Sequence, residues 1–311
     1  MRNVLGIGGR PRTAFVFGGG GNLGAFQVGM LKALVRAGVQ PDLIVGCSVG
    51  AINGAAYASD PTPRGVRLLE ELWRSLEAGE IDVMRGSFLP HTVNLVRKGS
   101  ALHGNTDLQG MIEEGLGART FNQLKIPFQC VAAEVEQAHE VWFDHGPLIP
   151  ALLASSALPV VYPQVEIEGR RYVDGGVVND VPLSRAVALG ARRIYILHVG
   201  TYDRPPTDPR RPIDAAIQAS WIARRNRFAR DLASVPNKVS VELLPTGGHA
   251  DVAFNDFGST SELIDRAYRA CHVHLGLGEL AALPDTPDAP ARPPADAAGP
   301  APGPGGTETG R

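Results

Sequence analysis

Lysine is scarce in this sequence: Lys32, Lys98, Lys125 and Lys238 are the whole set, and arginine carries the rest of the basic charge. That is a compositional bias and carries no function by itself. Basic excess is missing too, because the formal net charge is −2 and no block of like charges interrupts the mixture. Nothing therefore points to nucleic acid as a partner. Cysteine is limited to Cys47, Cys130 and Cys271. An odd, scattered trio has neither disulfide-framework nor metal-ligand spacing, and buried reduced thiols fit a reducing compartment. No apolar run approaches the roughly 20 residues of a membrane span, and MRNVLGIGGRPR lacks the apolar core of a signal peptide. The expectation is a soluble, cytoplasmic protein, with peripheral contact at a membrane left open. There is no internal repeat.

What is present suffices for a substantial core, since 44% of the 311 residues are hydrophobic. TAFVFG (13–18) reads as a buried strand. GAFQVGMLKALVRAG (24–38) follows with helical spacing of Phe26, Met30, Leu31, Leu34 and Val35, and Gly38 suits its C-terminal end. PDLIVG (41–46) and VGAINGAAYAS (49–59) repeat the strand–helix alternation. That pattern predicts right-handed βαβ units and a parallel sheet covered on both faces. GVRLLEELWRSL (65–76) is amphipathic, and residues 80–106 look irregular. IPFQCVAAEV and EVWFDHG (126–135, 140–146) read as a strand pair, and 147–159 as a helix between prolines. Residues 165–176 read as a hairpin turning at Glu168-Gly169. Residues 181–200 read as helix then strand, with Gly190 as cap and Pro182 in the first turn. A basic helix at 213–233, a strand at 238–245 and a helix at 259–276 opened by a Ser/Thr cap complete the pattern. The expected division is a loose segment at 1–12, one domain at 13–283 and a disordered Pro/Ala/Gly-rich tail at 284–311.

Three stretches carry chemistry. In LIVGCSVGAING (43–54), Gly46-x-Ser48-x-Gly50 sits between a strand and a helix, where a nucleophile elbow belongs. Such a turn needs small neighbours and presents the serine at the positive end of the helix dipole. A plain alternative is a tight turn in which Ser48 only caps the helix. In FGGGGNLGAF (17–26), four glycines open the next helix, so backbone N–H groups can converge on an anion. For acyl transfer that anion is the tetrahedral oxyanion. Gly19-x-Gly21-x-x-Gly24 also fits a dinucleotide fingerprint, but the acidic residue such a site needs, Asp42, falls at the wrong end of its strand. In YVDGGVVNDVP (172–182), Asp174 precedes two glycines and could be an ordinary turn. A serine hydrolase also needs a base. The histidines are His91, His103, His139, His145, His198, His249, His272 and His274. His198 and His249 satisfy the Ser-acid-His order of an α/β-hydrolase, and neither is singled out by its surroundings.

Glycine loop, Gly-x-Ser-x-Gly and Asp-Gly-Gly, in this order and spacing over residues 13–200, resemble the patatin-like phospholipase family. LLASSALPVVYPQV (152–165) resembles the family's segment ahead of its Asp-Gly motif. The resemblance implies a three-layer α/β/α fold with a mostly parallel central sheet. It implies a serine acyl hydrolase of the phospholipase or lipid-esterase type, acting on a lipid or other hydrophobic ester without metal or cofactor. By the same resemblance Ser48 is the nucleophile and Asp174 the proton acceptor, a dyad in place of a triad. Gly19, Gly20, Gly21, Asn22, Leu23 and Gly24 would form the oxyanion hole. Gly46, Gly50, Gly175 and Gly176 would support the motifs. The family often has Arg or Lys where this chain has Leu23, so a positive charge near the hole is missing from the loop. Two other readings stand beside it: a His-dependent α/β-hydrolase, and a catalytically weak lipid-binding or regulatory protein of the same fold. Residues 85–104, with Arg85, Arg97 and Lys98, read as a lid or a solvated loop. Arg224, Arg225, Arg227 and Arg230 on the 213–233 helix would face anionic lipid or solvent.

Overall fold

A computed structural model describes residues 12–79, 105–200, 212–248 and 256–278. Residues 1–11, the 85–104 stretch, the tail from 284, and His91, His103 and His249 lie outside the described residues. Among the described residues eight strands form one mixed sheet: β1 (Thr13–Phe17), β2 (Leu43–Cys47), β3 (Phe128–Glu134), β4 (His139–Phe143), β5 (Val165–Ile167), β6 (Arg170–Asp174), β7 (Arg193–Leu197) and β8 (Ser240–Leu243). Their order is β5-β6-β3-β2-β1-β7-β8, with β4 also paired to β3. The stretch from β3 through β2, β1 and β7 to β8 is parallel. The β4 and β5–β6 pairings are antiparallel.

The period-two alternation of β1 explains the layers. Phe15 and Phe17 enter one core with α1 (Ala25–Arg36), α2 (Val49–Ser59), α3 (Pro63–Ala78), α4 (Asn105–Gly115), α5 (Leu148–Ser155) and α8 (Thr260–His274). Ala14 and Val16 enter a second core with α6 (Leu183–Ala188) and Phe228 of α7 (Pro212–Ala233). Both faces of the central strands are covered, which is why they read as unbroken apolar runs. The result is the expected three-layer α/β/α sandwich.

Local signals mostly set the boundaries. Gly38 adopts φ 69° just past α1, and Gly190 adopts φ 85° just past α6, each closing its helix. The β5–β6 turn is the two-residue loop Glu168-Gly169, with φ of 52° and 75°, which matches the right-handed twist of a hairpin. Three details differ from the sequence expectation. α4 begins inside the stretch expected to be irregular. Its buried face among the described residues is Leu108, Met111 and Ile112, and Gly110 and Gly115 dilute the period. Pro182 stands at the N-cap of α6, one position before its first turn. Ser259 holds the N-cap of α8, but its side chain makes no capping bond.

The register of β3 has the largest consequence. β4 pairs along Cys130–Glu134 and so fills one edge of β3. β2 pairs with Phe128–Val131 and β6 with Ala132–Glu134, so these two share the other edge in line. β2 runs parallel to β3 and β6 runs antiparallel. Their C-terminal ends therefore meet head-on: Cys47 lies opposite Val131, and Asp174 lies opposite the adjacent Ala132.

Candidate active site

Ser48 leaves β2 at this junction with φ 55° and ψ −131°, a conformation that costs a non-glycine residue about 1–3 kcal/mol. Glycines make the turn possible. A Cβ on Gly46 would stand 2.7 Å from Ala51 Cα, and one on Gly50 would stand 2.4 Å from the Gly18 carbonyl oxygen. Ser48 occupies the N-cap of α2, yet its hydroxyl makes no capping bond. It donates instead to Asp174 Oδ2 at 2.6 Å. The Ser48 N–H donates to Ser155 Oγ of α5 at 3.0 Å, which ties the elbow to a third element.

Asp174 is 3% exposed and is fixed on several sides. Its N–H donates to Ala157 O at 2.9 Å, and its Oδ1 accepts from Gly176 N–H at 2.7 Å. The Cys47 thiol lies 3.9 Å from the same Oδ1. Gly175 is obligatory, since a Cβ there would be 2.3 Å from the Val131 carbonyl oxygen. Burial pushes the Asp174 carboxyl up to about 6; the bonds from Ser48 and Gly176 pull it down, Asp180 pushes it further up and Arg224 pulls it down. A carboxylate so raised is a better base than an ordinary one and is still largely ionised above neutrality. The neighbouring Cys47 thiol is pushed well above its ordinary range by burial and then by Asp174 and Asp180, so it remains a protonated, inert group.

The glycine loop lies against the elbow, with Gly19 so close that a Cβ would stand 3.3 Å from Ser48 Cβ. Its N–H groups are not equivalent. Gly19 N–H donates to Asp180 O at 3.0 Å, and Leu23 N–H donates to Gly20 O at 3.3 Å. Gly20 and Gly21, with φ of 154° and 60°, make no such backbone bond among the described residues. Asn22 is buried and donates through Nδ2 to Asp256 O at 2.5 Å, and Leu23 packs on the larger core. A chain of buried amides holds the loop. Gln27 Nε2 donates to Gly18 O at 2.7 Å and to Leu197 O at 3.0 Å. Asn53 Nδ2 donates to Gly24 O at 3.1 Å and to Gln27 Oε1 at 2.9 Å, while Asn53 Oδ1 accepts from Trp73 Nε1 at 2.9 Å. Both ends of the loop are thus tethered by a network in which each amide is satisfied.

Other candidates fall elsewhere. Asp42 Oδ2 accepts from Thr13 N–H at 2.7 Å, at the opposite end of the strands from the elbow, so it offers no ribose contact beside the loop. His198 is buried at the end of β7, and its Nδ1 accepts from Gly200 N–H at 3.0 Å. His139, His145 and His274 pair with Glu134, Asp144 and Glu242. His272 is buried on α8. The arginines of α7 are partly turned inward: Arg224 faces Asp180, and Arg227 bonds Asp231 and reaches Glu140. Arg225 lies over the Trp221 ring. Among the described residues no group of three or more His, Cys, Asp or Glu gathers as a metal site. Ser155, Gln27, Asn53 and Asp180 were not singled out in the sequence, and Arg224 was read there only as facing anionic lipid or solvent. Only the Ser155-Ser156 pair, inside the segment ahead of the Asp-Gly motif, carried a signal.

The sequence pattern of the patatin-like phospholipase family matches residues 15–187, more than half of the chain. The chain belongs to the patatin-like phospholipase family. An uncharacterized NTE family protein of Mycobacterium tuberculosis is 26% identical over 225 residues, covering 72% of this chain and 58% of that protein. Lysophospholipase nte1 of Aspergillus terreus is 29% identical over 192 residues, covering 61% of this chain and 12% of that one. This patatin-like chain thus spans less than two thirds of the length of either relative. VipD from Legionella pneumophila aligns with a TM-score of 0.43 at 12% identity, over 86% of this chain and 67% of that one. The family match runs from β1 to α6, so it contains the glycine loop, the elbow and Asp174, and it ends before α7.

Proposed function

We propose that the protein hydrolyses lipid carboxylic esters through a Ser48–Asp174 dyad. The observation that carries this is the 2.6 Å bond from the Ser48 hydroxyl to Asp174 Oδ2, made in place of a helix-capping bond. Family membership and the name of the lysophospholipase relative support lipid as the substrate class.

In this reading Asp174 takes the Ser48 proton as Oγ attacks the ester carbonyl carbon. The oxyanion so formed is met by Gly20 and Gly21 N–H groups, each such donor contributing about 3–4 kcal/mol. The intermediate collapses, and the leaving alkoxide takes the proton from Asp174. A water then gives its proton to Asp174 and attacks the acyl-Ser48 carbonyl. Collapse of the second intermediate releases the acid and returns the proton to Ser48 Oγ. Both flanks of Asp174 expose apolar side chains: Leu158 at 39%, Val160 at 47% and Val177 at 50%. We infer that these receive the apolar part of the substrate at a lipid surface, a peripheral contact that requires no spanning helix. None of the described helices is long and apolar enough to cross a membrane.

Hydrolysis of a lysophospholipid and of p-nitrophenyl esters of graded chain length tests the proposal. Ser48→Ala is expected to lower kcat more than about a thousandfold, and Asp174→Asn to do nearly as much. Wild-type rates retained in Ser48→Ala would refute it.

A further inference from the structure

Two carboxylates, not one, are buried at the dyad. Asp180 is 5% exposed, in the link between β6 and α6. Its Oδ1 stands 3.0 Å from the point where a Cβ of Gly176 would be, and Asp174 Oδ1 stands 3.1 Å from the same point. Asp180 Oδ1 also stands 2.5 Å from the Cβ position of Gly19, so the glycine loop wraps directly over this carboxylate. Like charges so placed oppose the ionisation that a base requires. The glycine loop, residues 18–24, offers no charged side chain to offset them. Arg224 does. It descends from α7, places Nη1 3.6 Å from Asp180 Oδ1, and lies 3.9 Å from the Gly176 Cβ position.

As a stabilising ion pair this would be poorly built. The contact is long, the Arg224 side chain is 30% exposed, and its buried Nε has no hydrogen-bond partner among the described residues. Partly buried pairs of this kind contribute little net stability. The arrangement makes more sense as electrostatics aimed at the reacting carboxylate.

We propose that Arg224, held by Asp180, is a positioning residue that supplies the site's positive charge from α7, outside the segment matched by the family. The inference rests on the Ser48–Asp174 reading and deepens it. Ser48, Cys47 and Gly176 N–H face Asp174 closely, and the ionised groups acting on it are Asp180 and Arg224, with opposite signs. Arg224 favours the charged base and Asp180 disfavours it, so each substitution has its own direction.

The test is the pH profile of kcat/KM for a short, uncharged p-nitrophenyl ester with the whole chain. Arg224→Gln should move the acid limb up by about half a unit or more. Asp180→Asn should move it down, the double variant should return it toward wild type, and Arg224→Lys should hold it near wild type. Rates that fall equally at every pH, with the limb unmoved, would overturn the inference and leave the pair a structural role. Should Arg224→Gln not fold, Arg224→Met takes its place: an upward limb supports the inference and an unmoved limb overturns it. A wild type without turnover would instead sink the dyad reading itself, so the two failures are distinguishable.

Discussion

At the scale of the residue, Asp174 pits function against stability. Its carboxyl titrates near 6 in the fold, against 3.8 for the exposed group. The folded state therefore binds this proton more tightly than the unfolded state. Stability from this group is complete below the unfolded value, falls as pH rises through the window from about 4 to 6, and stays reduced above it. The reduction is of order 3 kcal/mol at most. Asn keeps the shape and can still accept from Gly176 without the charge. Asp174→Asn is thus expected to be inactive yet more stable than wild type at pH 8, with the advantage vanishing near pH 4. Urea melts at the two pH values would show it, and equal stabilities at pH 8 would refute it. Ser48 stores strain of a different origin. At φ 55° a Cβ is disfavoured, so Ser48→Gly should be more stable than Ser48→Ala by about 1–2 kcal/mol. A Gly variant no more stable than the Ala variant would contradict that account of the elbow.

At the scale of the element, the glycine loop depends on side chains of α1, α2 and α3. Trp73 of α3 donates to Asn53 of α2, which holds Gly24 and, through Gln27 of α1, shares the hold on Gly18. Trp73→Phe preserves the ring packing and removes the donor to the buried Asn53 Oδ1, so it should cost about 1–3 kcal/mol in denaturant unfolding. An unchanged midpoint would show that the network is redundant. The basic helix α7 shows the limit of composition as a guide: Arg224 and Arg227, which would suit an anionic surface, turn toward carboxylates of the protein.

At the scale of the whole molecule, strand and helix periodicity made the sheet and its two covering layers legible. The Gly-x-Ser-x-Gly and Asp-Gly-Gly motifs identified their own turns, because only glycine fits where a Cβ would meet backbone at Gly46, Gly50 and Gly175. What no local pattern carries is the head-on meeting of β2 and β6 on one edge of β3, which joins residues 126 positions apart. The resemblance to the family names Ser48 and Asp174 as a dyad, and the register is the physical cause of their contact. The pairing of Asp180 with Arg224 was illegible for a related reason: it is a contact between α7 and the β6–α6 link, and neither residue type is unusual where it stands. α4 was missed because its buried face is short and interrupted by glycine.

The central claim is that Ser48 is a nucleophile made reactive by Asp174. Labelling with a fluorophosphonate probe, followed by peptide mass mapping, tests it most directly in wild type, Ser48→Ala and Asp174→Asn. The account predicts a single adduct on Ser48 in the wild type, none in Ser48→Ala, and strongly slowed labelling in Asp174→Asn. A folded wild type without an adduct, or an adduct that persists in Ser48→Ala, would contradict it.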